Sequence, residues 1–344
     1  MMSKKIRLVD IAEHADVSIA TVSRVLNDSG PVSADTAARV LTAIDMLGYE
    51  RPESLSRTDR GLIGLVVPEL GNPIFPALAQ ELEAAMVGEG FVPVLCTQYA
   101  GGVTEDEYVD ILRRQRVAGI IFVSGLHADS EADPARYRRL QGDVPFVTIN
   151  GANPAVDAPN ISTNDADAMR KAVEFLTGLG HTKIGLAMGP HRFIPSQEKE
   201  RGYLTGMAEF SPAATPRIIN TFFTFEGGIS AAQAFLESGY TAIVCGSDIM
   251  ALGAASAVQA AGLSVPGDVS ITGFDDSRLM TLTNPPLTTL RQPVAAMARY
   301  AVNSLTALIA GNKTDAGSMT FAAELVVRGS TGSCPIAPFA SERS

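Results

Sequence analysis

Tryptophan is absent from this chain, and cysteine, histidine and positive charge are all scarce. The three cysteines, Cys96, Cys245 and Cys334, are odd in number and far apart. That spacing excludes a disulfide framework and a zinc-type cluster, and the expected setting is a reducing cytoplasm. No apolar run approaches the ~18–20 residues needed to cross a bilayer. The opening MMSKKIRLVDIAEHA has two lysines but no apolar stretch after them, so neither a secretory signal nor a membrane partner is expected. Glycine-rich phosphate loops of the GxGxxG or GxxxxGK[ST] type are missing. The four histidines (His14, His127, His181, His191) complete no Ser/His/Asp or Cys/His set, so no enzyme activity, cofactor or metal is expected.

Cations are outnumbered, 27 to 37, leaving a net charge of −10 that by itself opposes a nucleic-acid partner. The deficit is uneven. Residues 1–60 hold eight Lys/Arg against nine Asp/Glu, and Ser3–Asn27 has four cations against three anions. Any DNA contact there must rest on geometry, hydroxyls and helix N-termini more than on bulk charge.

What is present is a change of texture along 344 residues, enough for two or three domains. Residues 1–50 read as helical, and RPESLSRTDR (51–60) is a polar linker. From Gly61 short apolar strands alternate with amphipathic helices. The strands are LIGLVV (62–67), VPVLC (92–96), GIIFVS (119–124), PFVTIN (145–150), KIGLAM (183–188), TAIVCG (241–246) and VSITGF (269–274). Strands apolar on both faces and joined by helices predict doubly wound parallel sheets. A break near Pro159–Asn164 divides them into two α/β subdomains of about 61–161 plus 292–318 and 162–291 plus 319–330, within one unit spanning 61–330. Two such sheets leave a crevice at the carboxyl ends of their strands, a natural small-molecule site. Residues 331–344 are expected to form a disordered tail.

The head carries the sharpest pattern. LVDIAEHA (Leu8–Ala15) reads as a first helix. In ADVSIATVSRVLNDSG, which begins at Ala15, Asp16–Val17–Ser18 then breaks it, and Ser18 is a good N-cap for a helix running to Asn27. Val22, Val25 and Leu26 form its inner face. A third helix capped by Ser33 offers Val40, Leu41, Ile44 and Leu47 to the same core. This is the helix-turn-helix plan, and the second helix enters a ~12 Å major groove only if its outer side chains are small. Ser18, Thr21, Ser23 and Asn27 suit phosphate oxygens, Ile19 and Ala20 suit base edges or a thymine methyl, and Arg24 suits guanine O6 and N7.

LVDIAEHADVSIATVSRVLNDSGPVSADTAARVLTAIDMLGY closely resembles the DNA-binding domain of the lactose-repressor (LacI/GalR) family. IGLVVPELGNPIFPAL, GIIFVSG, FLTGLGHTKIGLAMGP, SDIMALGA, VSITGFDD and PPLTTLRQP resemble family segments in the expected order. The resemblance implies a ligand-responsive repressor that binds a palindromic double-stranded operator as a homodimer. It also implies a small-molecule effector, a sugar or a related compound. Family hinges after the Gly-Tyr fold on DNA and lever a leucine into the minor groove; here the stretch is about three residues shorter. Leu55 is either that wedge or a residue packed on its dimer mate or on solvent.

In the crevice the resemblance points to Asp275 of FDD as acceptor for ligand hydroxyls, and to Ser247 where the family usually has Asn. Lys199 stands where the family has an arginine, and Arg201 follows; lysine lacks the planar fork. Phe75 and Ser124 are candidates on the other wall. Phe75 is a ligand platform or helix core, and Lys199 a ligand contact or a solvated charge. His181 is expected to cap the preceding helix. The dimer face is expected around Met297–Leu308 and Ala79–Val87, and the tail lacks the leucine heptads of a tetramerisation helix. The rival reading is a cytoplasmic solute-binding protein with no DNA role.

Overall fold

A computed structural model describes residues 6–27, 30–49, 60–98, 101–312 and 317–335. The chain divides into two compact units, residues 1–59 and 60–344. The first contains α1 (Leu8–Ala15), α2 (Ile19–Asn27) and α3 (Ala34–Leu47). Asp16 ends α1 in the left-handed region (φ 52°), its N–H bonded to carbonyls of the last turn, and Ser18 Oγ then accepts the Thr21 N–H at 3.1 Å. Ser33 caps α3 in the same way through Thr36. Ile11, Ala12, Ala15, Val22, Val40 and Ala43 form the core, with Val25, Leu26, Ile44 and Leu47 packed on it. Leu41 is not part of it: it is 56% exposed. Positions 40, 43, 44 and 47 share a helical stripe, and residue 41 lies about 100° round from residue 40.

In the second unit β1 (Leu62–Val67), α4 (Ile74–Gly88), β2 (Val92–Thr97), α5 (Glu105–Arg114), β3 (Gly119–Val123), α6 (Ala135–Leu140) and β4 (Phe146–Ile149) alternate. The segment expected to be a break is itself a strand, β5 (Asn160–Thr163), paired with β4. The chain then builds a second sheet through α7 (Asp165–Gly178), β6 (Ile184–Met188), α8 (Ile194–Phe210), β7 (Arg217–Asn220), α9 (Phe225–Leu236), β8 (Ala242–Cys245), α10 (Asp248–Ala260), β9 (Ser270–Asp275) and β10 (Thr288–Arg291). It returns to the first through α11 (Val294–Ile309) and β11 (Ser318–Phe321), and ends its strands with β12 (Glu324–Val326) in the second.

The strand orders are β11-β5-β4-β3-β1-β2 and β12-β10-β9-β8-β6-β7. All pairings are parallel except β12 against β10. β11 belongs to the first sheet, so the expected subdomain edges at 161 and 318 each lie a few residues short. The chain crosses between sheets three times, after Thr163, after Arg291 and after Phe321. Two of the crossings are joined by the Asn164 N–H donating to the Phe321 carbonyl at 2.7 Å.

Of the tail expected to be disordered, residues 331–335 are described, and with residues 328–330 they pack on the second sheet, against expectation. Ser330 Oγ donates to the Ile271 carbonyl at 2.6 Å and accepts the Thr288 N–H at 2.8 Å. Arg328 pairs with Asp276 at 2.6 Å, and the Cys334 N–H reaches the Leu179 carbonyl. A Gly/Ser-rich segment has few apolar anchors, but its backbone and hydroxyls here complete the sheet's own polar groups. His181 takes part through its side chain while also capping α7 as expected, its backbone N–H donating to the Leu176 carbonyl at 3.1 Å. Its ring is buried between Thr241 Oγ1 (2.9 Å), Ser270 Oγ (3.0 Å) and the Gly332 carbonyl (3.1 Å).

The two helices expected at the dimer face pack on each other through their buried sides. Met297, Ala298, Ala301, Val302 and Leu305 of α11 pack with Leu78, Ala79, Leu82 and Met86 of α4 over the first sheet. Both helices cover the same face of β1, β3 and β4, so their apolar stripes meet each other.

Candidate functional site

On α2, Ser18, Ala20 and Arg24 are exposed, Ile19 is 49% exposed, and Thr21 and Ser23 are half-buried. Small residues face outward because the large ones are used inward. Ser18 and Thr21 hydroxyls lie 2.9 Å apart, so each arrives at a partner already oriented. Arg24 makes no ion pair among the described residues, leaving its guanidinium fork available. The side chain of Asn27 and the whole of Leu55 lie outside the described residues.

Between the two sheets lies a cavity of about 590 Å³. Phe75, Ser124, Lys199, Ser247 and Asp275, all chosen from sequence, line it together. They meet there because each sits at or just beyond the carboxyl end of a parallel strand, or on the helix that follows. Four non-glycine residues at those ends adopt positive φ: Ser124 (44°), Asn150 (60°), Asp275 (117°) and Asp276 (59°). Such backbone strain is held only where surroundings over-determine it, and it clusters at ligand-binding positions.

Lys199 is no solvated charge. Its Nζ lies 2.7 Å from Asp165 Oδ1 and 4.0 Å from the centre of the Phe274 ring. Burial pushes the Asp165 carboxyl above its ordinary range, against the opposing pull of Lys199. Arg201, by contrast, points away and pairs with Glu198. Asp275 accepts the Gln292 side-chain N–H at 2.6 Å, and burial together with the charge of Asp248 raises its proton affinity well above the carboxylate norm. Ser247 Oγ caps α10 by accepting the Met250 N–H at 3.4 Å, which leaves its O–H to donate. Phe75 reconciles both of its readings, packing on the first core and lining the cavity.

Sequence reasoning missed Asp165, Asn150, Phe222, Phe223 and Gln292, which also line the cavity. Gln292 stands in the LRQP segment and links two crossings, because its Oε1 accepts the Thr163 hydroxyl at 2.8 Å. Behind the cavity floor, His127 is fully buried, and its Nε2 faces the Ile149 and Asn150 carbonyls at 3.2 and 2.8 Å. Burial lowers its pKa to about 4, so the ring is neutral and Nε2 carries the hydrogen that those carbonyls accept.

A helix-turn-helix head joined to two parallel sheets around a ligand-sized cavity defines a class: DNA-binding regulators whose larger unit is built like a periplasmic binding protein. The comparisons agree. Residues 7–52 match the family described as "Bacterial regulatory proteins, lacI family", and residues 173–331 match "Periplasmic binding protein-like domain". An uncharacterized HTH-type transcriptional regulator in the aml 5' region of Streptomyces limosus is 54% identical, the match covering 94% of each chain. Among solved structures, a transcriptional regulator CelR–cellobiose complex superposes with a TM-score of 0.71 at 28% identity, covering 94% of this chain and 99% of that one. The lac repressor dimer bound to operator and the anti-inducer ONPF gives 0.69 at 27% identity, covering 96% and 100%. The chain belongs to the LacI family: it is a DNA-binding transcriptional regulator and not an enzyme. The reading as a solute-binding protein without a DNA role is thereby set aside.

Proposed function

We propose that this regulator is a repressor that grips a palindromic operator as a homodimer and takes a sugar or sugar derivative in the cavity between its sheets. The observation that carries the reading is the cavity itself. Its volume suits a ligand of one to two sugar rings, and its walls combine aromatic faces (Phe75, Phe193, Phe222, Phe223) with acceptors and donors. Aromatic faces receive the apolar side of a sugar ring, while Asp275 and Asn150 meet its hydroxyls. The cellobiose complex of a structural neighbour supports the same ligand class. Ser18, Ile19, Ala20, Thr21, Ser23, Arg24 and Asn27 meet the operator, and Leu55 serves as the minor-groove wedge. A protein that reads chromosomal DNA works in the cytoplasm beside it.

The homodimer forms through apolar residues left exposed: Val92 and Leu95 on edge strand β2, and Leu279 and Leu282 beyond β9. Effector acts by binding one closure state of the two sheets more tightly than the other. A thermal-shift screen over mono- and disaccharides, followed by DNA retention with and without each hit, tests the proposal. A sugar that raises the melting temperature and changes operator retention is expected. A screen in which only non-carbohydrate ligands bind would overturn the effector class.

A further inference from the structure

The first sheet has an arginine-rich end. RRQR closes α5 and RYRR lies in α6, so residues 113–139 hold six arginines in a chain with net charge −10. Both segments precede a strand, β3 and β4, and so gather at the amino-terminal end of the sheet, opposite the cavity. Arg113 joins them by pairing with Asp143 at 2.5 Å, and Arg136 is tied to Asp106 at 3.2 Å. Arg114, Arg116, Arg138 and Arg139 are exposed and make no ion pair among the described residues. Arg116 sits at φ 54°, a left-handed turn before β3.

The same sheet end receives the chain from the helical head. Ala118 N–H donates to the Leu62 carbonyl at 2.7 Å, beside the start of β1 at the Arg60 entry point. Ten residues separate Tyr49 from Arg60. Fully extended they span at most about 40 Å, roughly one turn of duplex. Four uncommitted guanidiniums on that tethered end, in an otherwise acidic protein, need an anionic partner within reach. The one such partner this family member is known to hold is DNA.

We propose that Arg114, Arg116, Arg138 and Arg139 hold backbone phosphates of the duplex flanking the sequence read by α2. Arginine matches phosphate with two parallel N–H donors, and the contact carries no base specificity. The inference goes beyond the head's own contacts but rests on the DNA-binding reading. The flanks then add affinity and salt dependence without altering which operator is chosen.

The test measures affinity against salt concentration for two duplexes, one limited to the operator and one extended on both sides. Wild-type protein is compared with the quadruple Arg→Gln and quadruple Arg→Lys variants. Expected results are tighter binding and a steeper salt slope on the extended duplex, both lost in the Gln variant and largely restored in the Lys variant. Each phosphate released lowers the slope by about 0.9. Wild-type protein indifferent to flank length would overturn the proposal without any variant. A Gln variant that keeps the wild-type slope would do the same, leaving the patch to an acidic protein partner. Failure of wild-type protein to hold either duplex would instead strike down the reading of the head, and this inference with it.

Discussion

Asp275 is buried near a second buried carboxylate, Asp248, and among the described residues only Gln292 donates a side-chain hydrogen bond to it. A carboxylate whose proton affinity is raised by folding opposes folding at neutral pH. Asp275→Asn keeps an acceptor for Gln292 and removes the charge. The variant is expected to melt a few degrees higher than wild type when free of ligand, and to lose the ligand-induced shift; a lower melting point would refute this account of the site. His127 acts in the opposite direction. Its folded pKa of about 4 lies below the unfolded value of about 6.5, so the unfolded chain takes up the proton first as pH falls. Stability is full above pH 6.5 and declines between there and pH 4. Buried His181, lowered by its own burial, contributes in the same sense. Denaturant titrations at pH 7 and pH 5 are expected to show a smaller difference in His127→Gln than in wild type.

At the scale of elements, α8 approaches α7 so closely that a Cβ on Gly202 would stand 2.1 Å from the Ala166 carbonyl oxygen. That approach sets the Lys199–Asp165 contact, since Lys199 lies three residues before Gly202 and Asp165 adjoins Ala166. Gly202→Ala forces the helices apart, with an expected loss of about 1–3 kcal/mol and weaker ligand binding, read by denaturant titration and calorimetry. The glycine reads from sequence only as a helix weakener, because nothing local reports its neighbour. Periodicity was enough for α1, α2 and the apolar strands, where core and surface alternate cleanly. It misplaced Leu41 by one step of α3. It also passed over β5, β7 and β10–β12, strands of only three or four residues in which polar or charged side chains interrupt the apolar run. The five cavity residues were legible because each stands at the end of a recognisable strand or in a motif. Gln292 and Asp165 were not, since their roles come from contacts 129 and 34 residues away in the chain.

For the whole molecule, Asp275, Gln292 and Thr163 form a line from the cavity into two of the three crossings between sheets. A ligand that draws Asp275 away from Gln292 therefore alters the joint on which the sheets turn. Gln292→Leu is expected to retain sugar binding with an affinity lowered severalfold while losing most of the sugar's effect on DNA retention; an unchanged response would dissociate the joint from signalling. The three crossings have a further consequence for synthesis. The helical head has its own core and lies wholly within the first fifty residues, so it can fold soon after leaving the ribosome. Neither sheet is complete until Ser318–Val326 has emerged. A nascent chain can therefore present a finished DNA reader well before it possesses any means of sensing a metabolite. Premature termination upstream of Ser318 would release heads that no sugar governs.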